Sequence, residues 1–256
     1  MDIVEQLKRY VAWAHKTSLL SAKFGESMRQ ENRRLRPSVG GFSLVSYHPA
    51  TPQLGFADLR EESDLVRDLH RPLSPPGRPT PEKDMQSFLI HEAFGSAGRV
   101  PSLEAVLGAD IWFVTDELSF TNDGVKLVVN LLLVIVRSGL AELYPAELKY
   151  ERKMSRVFGQ VMEFRPLIED LQLRDHWRVL AETLTGQKFK WADVLDGSHS
   201  LVVWPRSKNP TASEARRRRA EYPRVDAIGY EKDGRSQFLF SIEWRADERP
   251  LQDDNL

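Results

Sequence analysis

Apolar residues recur along this chain at two different periods, and the places where one gives way to the other mark out its elements. Val4, Leu7, Val11, Leu19 and Leu20 fall at roughly helical spacing and predict one or two helices over residues 3–35. GFSLVSYHP then reads as a short strand or extended segment. HRPLSPPGRPTP cannot continue a helix or a central strand, because proline lacks the backbone N–H, so it reads as a linker. It separates an N-terminal helical and extended segment, residues 1–75, from a larger unit, residues 76–256. Thr80 and Pro81 supply an N-cap and a first helical residue for PEKDMQSFLIHEAF, in which Met85, Phe88, Leu89 and Ala93 share a face. DIWFVT and VKLVVNLLLVIV are strands rich in β-branched residues, RSG is a turn, and AELYPAELKY is a further strand. ERKMSRVFGQVMEFRPLIEDL returns to the helical period, with Met154, Val157, Phe158, Val161 and Phe164 on one side. SLVVW predicts a strand, TASEARRRRAEY a basic helix, and RVDAIGYEKDGRSQFLFSIEW a hairpin turning at KDG. Continuous apolar strands alternating with helices predict an α/β fold, a mixed sheet covered on both faces.

Composition narrows the classes of function. Hydrophobic residues make up 41% of the 256, enough to bury a sizeable core, so a disordered chain is excluded. A net charge of −1 means that any grip on nucleic acid must come from local clusters of Lys and Arg. The absence of cysteine excludes disulfides, thiolate nucleophiles and cysteine-built metal clusters, leaving oxygen or imidazole as metal ligands. The charged N-terminus lacks the apolar core of a signal peptide, and the apolar run at 127–136 is too short for a membrane span. The expectation is therefore a cytoplasmic protein with no membrane partner. The six histidines show no H-E-x-x-H spacing, and no P-loop, dinucleotide glycine pattern or G-x-S-x-G elbow is present.

One residue breaks the apolar pattern where it is densest. Asn130 stands inside VVNLLLVIV, and an amide buried there without partners costs on the order of 1–3 kcal/mol, so something must face it. The next strand supplies candidates: Glu147 and Lys149 are two apart in PAELKY and point to one face, with Leu148 toward the other. Gln160 follows on the next helix, in the context FGQ, and Glu82 lies at the start of the helix that precedes the strands.

This arrangement resembles the PD-(D/E)xK nuclease superfamily. The resemblance covers roughly residues 80–170 and implies a restriction-endonuclease-like mixed sheet flanked by helices. It also implies Mg²⁺ or Mn²⁺ as cofactor. By position, Glu147 matches the metal-binding Glu, Lys149 the lysine that assists the attacking water, Gln160 the helix Gln, and Glu82, with Glu92 as the second candidate, the acid of the first helix. Asn130 falls where the metal-binding Asp stands. The expectation is a magnesium-dependent endonuclease hydrolysing DNA, with RNA as the other substrate, captured inactive by an Asp-to-Asn change, introduced or natural. By family habit it would serve restriction or phage defence, as a homodimer or with a partner protein in a larger complex. The other possibilities are a catalytically dead nucleic-acid-binding or assembly subunit of the same fold, and a purely structural α/β protein that binds no nucleic acid. Local basic residues would hold the nucleic acid: Arg152, Lys153, Arg156 and Arg165 in one stretch, and Arg216, Arg217, Arg218 and Arg219 in another.

Each of these residues also has a plainer reading. Glu147 and Lys149 could be an ordinary strand salt pair, Gln160 a solvated side chain, the arginine run a solvated helix face, and Glu82 a complement to the helix dipole. The C-terminal hairpin offers a competing set, Asp226 and Glu243 with Arg245 where a lysine would stand, though no Gln-bearing helix follows it.

Overall fold

The computed structural model describes residues 81–122, 125–152, 154–193, 198–206, 217, 220–233 and 237–246, together with 4, 5, 7, 8 and 11. Helices α1 (Pro81–Gly95) and α2 (Pro101–Leu107) precede three strands, β1 (Asp110–Asn122), β2 (Val125–Arg137) and β3 (Leu140–Leu148). Helices α3 (Met154–Glu169) and α4 (Arg174–Thr185) follow, and β4 (Ser200–Pro205), β5 (Val225–Asp233) and β6 (Gln237–Trp244) complete a six-stranded sheet in sequential order. The sheet is mixed. β1, β2 and β3 run antiparallel, β3, β4 and β5 parallel, and β5 and β6 antiparallel again.

Both faces are covered, which is why the strands carry nearly unbroken apolar runs. On one face Met85, Leu89 and Ala93 of α1 and Leu103 and Leu107 of α2 pack on Leu131, Leu133, Tyr144, Leu201 and Ile228. On the other, Phe164 and Leu167 of α3 and Trp177 and Leu180 of α4 pack on Leu118, Leu132, Val134 and Leu143. Val157, Phe158 and Val161 close the far end over Val202, Trp204 and Ala227. Leu7 is fully buried against the α4 side, with Val4 and Val11 beside it, so helical residues expected near the N-terminus do join this core. The rest of residues 3–35, the segment GFSLVSYHP and all of the linker before Pro81 lie outside the described residues.

Local chemistry explains the joints. Ser138 and Gly139 both have positive φ, 50° and 78°, between paired Arg137 and Leu140, as a two-residue antiparallel turn requires. Pro145 sits inside β3 without breaking the sheet. Its missing N–H faces the β4 side, where pairing begins only at Ala146 opposite Leu201. α2 and α4 have no counterpart among the expected elements, although Leu173, Trp177, Leu180, Ala181 and Leu184 recur at helical spacing and pack into the core.

Two buried ion pairs fasten the second half of the sheet. Asp226 on β5 is fully buried, accepting from Arg137 Nη2 at 2.9 Å and from the Ala246 N–H at 2.8 Å, while Arg137 Nη1 donates to the Tyr144 hydroxyl at 2.7 Å. The second pair, Arg152 with Glu243, joins the segment after β3 to β6. Removing Arg137 would strand a carboxylate away from water. Arg137→Ala is therefore expected to lower stability by about 3–5 kcal/mol in urea unfolding. Arg137→Met combined with Asp226→Asn, which keeps an acceptor for Ala246, is expected to recover most of that loss.

Candidate active site

The site forms where β3 leaves β2 to join β4. Pairing between β2 and β3 ends at Leu131 opposite Ala146, and the same register places Asn130 opposite Glu147. Odd-numbered N–H groups of β3 now face β4, and the Lys149 N–H donates to Val203 O at 2.9 Å. The Leu148 N–H still faces β2, where the ladder has stopped, and the Asn130 side-chain oxygen accepts it at 2.8 Å. The Asn130 side chain thus completes a bond the backbones no longer make, and a buried amide inside an apolar strand acquires its reason.

β2 is distorted at the same point. Val129 packs on the α3 and α4 side but Leu131 on the α1 side, so alternation fails across Asn130. The Asn130 carbonyl is held by the Gln86 side-chain amide of α1, which donates to it at 3.3 Å and reaches Asp116 on β1 at 3.4 Å. Gln86 is fully buried, and sequence reasoning passed over it. The signal was present, because Gln86 falls on the stripe of Leu89, Ile90 and Ala93 that faces the sheet.

Glu147 is 2% exposed, while Ala146 and Leu148 beside it turn to the α1 layer, so Glu147 and Lys149 share the opposite face, as the strand period requires. The Lys149 ammonium donates to Glu147 Oε1. Burial pushes the Glu147 carboxyl up to about 7; Lys149 and the Asn130 N–H pull it down, and the like charge of Glu82 pushes it further up. Glu82, in the first turn of α1, thus acts on Glu147 through its charge. The Tyr230 hydroxyl, which donates to Lys149 O at 3.2 Å, is likewise pushed up to about 12, first by burial and then by Glu82.

The other expected residues are distributed differently. Gln160 lies on the exposed side of α3 and is not among the groups acting on Glu147. Glu92 is engaged elsewhere, accepting the Ser102 N–H at 3.0 Å at the start of α2. Arg152 is committed to Glu243 through two bonds of 2.6 and 3.0 Å, donates to Pro205 O at 3.0 Å, and lies 4.3 Å over the Trp204 ring. Arg165 pairs with Glu169 at 3.0 Å. Arg156 lies in the first turn of α3, Arg217 is exposed at a helical position, and Lys153, Arg216, Arg218 and Arg219 lie outside the described residues. The competing set on the C-terminal hairpin does not assemble. Asp226 is held by Arg137, Glu243 by Arg152 and the Trp204 indole N–H at 2.9 Å, and Arg245 donates to Val106 O at 2.9 Å, so each acid already carries its own cation or donor.

No family model, curated protein or solved structure matches this chain. Its chemistry is read from the site alone. Among the described residues no group of three or more His, Cys, Asp or Glu side chains is placed to hold a metal ion, and no helix is long and apolar enough to cross a membrane. With Asn at 130 the donors are one buried carboxylate already bonded to Lys149, a second acid at longer range, and an amide oxygen already accepting the Leu148 N–H. A hard divalent cation selects several anionic oxygens, and this set falls short of that requirement.

The raised Glu147 pKa has a definite sign for stability. The folded protein holds this proton between the unfolded value near 4.5 and about 7, so the contribution is complete below 4.5 and is lost as pH rises through 7. The change amounts to about 3 kcal/mol at about 1.4 kcal/mol per pH unit. Glu147→Gln is expected to flatten the fall in melting temperature between pH 5 and roughly pH 8, measured by thermal unfolding across that range.

Proposed function

We propose that this chain carries a restriction-endonuclease-like phosphodiesterase site for DNA, kept silent by the amide at position 130. The observation that supports the reading is Lys149 bonded to the buried Glu147 next to Asn130, whose oxygen holds the Leu148 N–H at a splay between two strands, with Glu82 of the first helix acting on Glu147 by charge. An aspartate in place of Asn130 could accept the same Leu148 N–H with one oxygen and present the other, now charged, toward Glu147. The carboxylate made by Asn130→Asp, together with those of Glu147 and Glu82, would then suit Mg²⁺ or Mn²⁺. When bound, such an ion supplies Lewis acidity and a water of lowered pKa.

The chain's own groups do the rest. In this reading Lys149, now bonded to Glu147, would orient the attacking water and offset charge on the phosphoryl oxygens. The Tyr230 hydroxyl fixes the Lys149 carbonyl, and Gln86 fixes the Asn130 carbonyl, so the reacting groups stand on anchored backbone. Arg152 serves as a fastener between the segment after β3 and the β4 and β6 strands. The grip on DNA falls instead to Lys153, Arg156 and the basic run from Arg216 to Arg219, in a cytoplasmic setting.

A second reading, an inactive nucleic-acid-binding subunit of the same fold, is favoured by one specific feature: Asn130 already satisfies the Leu148 N–H, so the amide is structurally complete without a metal. Cleavage of a supercoiled plasmid with Mg²⁺ separates the two. Asn130→Asp is expected to raise the rate at least about a hundredfold over the present chain, and Lys149→Ala in that background to abolish the gain. Salt-dependent DNA binding with no cleavage in Asn130→Asp supports the inactive subunit instead.

A further inference from the structure

The segment after β3 presents a feature that phosphodiester chemistry alone does not use. Among the described residues, Tyr150 is the one aromatic side chain left largely exposed, at 48%, and it directly follows Lys149. An accessible tyrosine ring offers an apolar face on which a planar partner can stack. Its support is rigid. On one side Lys149 is tied at both backbone ends, its N–H to Val203 O at 2.9 Å and its carbonyl to the Tyr230 hydroxyl at 3.2 Å. On the other, Arg152 is locked by Glu243, Pro205 O and the Trp204 ring. Only Tyr150 and Glu151 lie between these anchors, so the ring stands on a short, pinned bridge that begins at Lys149.

We infer that Tyr150 is a stacking platform for one unpaired nucleobase next to the phosphate held at Lys149. The inference rests on the nucleic-acid reading given above and deepens it by naming the substrate class as single-stranded or frayed DNA. In a duplex both faces of each internal base are already covered by neighbours, so a ring on the protein surface can stack only on a base that is unpaired or at an end. A platform on anchored backbone loses little freedom on binding, which suits it to hold such a base in register.

The test uses the full chain, as it stands with Asn130, in low salt without divalent ions. A single-stranded oligodeoxynucleotide carrying one 2-aminopurine, and the same label inside a duplex, are titrated with the native chain, Tyr150→Phe and Tyr150→Ala. Melting temperatures confirm that all three are folded. Binding with fluorescence quenching of the single strand by the native chain and Tyr150→Phe, an affinity lowered about tenfold in Tyr150→Ala, and little change for the duplex would support the platform. Equal single-strand affinity for the native chain and Tyr150→Ala, or an equal loss in Tyr150→Phe, overturns it and leaves the nuclease reading standing. Failure of the native chain to bind either form overturns both.

Discussion

The site depends on one exchange of hydrogen bonds at the place where β3 changes partners. A strand that leaves one neighbour for another must leave backbone groups without a ladder, and here the Leu148 N–H is such a group. Water would satisfy it at the surface; with Asn130 only 8% exposed it cannot do so easily. The Asn130 oxygen takes that role, next to the buried Glu147 of the neighbouring strand. Architecture and chemistry share the same atoms, because the splay that exposes a backbone donor also creates the pocket in which a carboxylate is desolvated and its proton affinity rises.

The surrounding structure holds that splay open. Gln86 ties α1 to β2 at Asn130, while the Tyr230 hydroxyl and the Lys149 N–H tie the end of β3 to β5 and β4. Arg152 closes the segment after β3 onto Glu243 and Trp204. Each of these groups is largely withdrawn from water, where a satisfied hydrogen bond is strong and an unsatisfied one costly, so the geometry is specified rather than merely allowed. Arg152, the cation that follows the site most closely in the chain, is therefore committed to positioning it.

How much of this was legible in the sequence follows from what each signal measures. Strand and helix periods report burial, and they marked β2, β3, α1, α3 and the C-terminal hairpin because those elements bury whole faces. They also made Asn130 conspicuous and put Glu147 and Lys149 on one face. Periodicity cannot report which strand leaves which, so the capping of the Leu148 N–H by Asn130 is invisible until the register is known. The same limit hid the ion pair of Arg152, since a cation in a basic stretch gives no sign of Glu243, ninety-one residues away, beside it. α4 and Gln86 were readable and passed over: Trp177 and Leu180 carry a helical stripe, and Gln86 stands on the apolar face of α1.

Asn130 is a structural oxygen where β3 changes partners, and the proposed metal site would need a charged oxygen at that position. Calorimetric titration with Mn²⁺ tests that claim most directly. Asn130→Asp should bind the ion at a single site that Glu147→Gln removes, while the native chain gives little heat. If Asn130→Asp folds as the native chain does and still binds no Mn²⁺, or binds it equally well with Glu147→Gln, then the splay between β2 and β3 is a packing device and not a metal site.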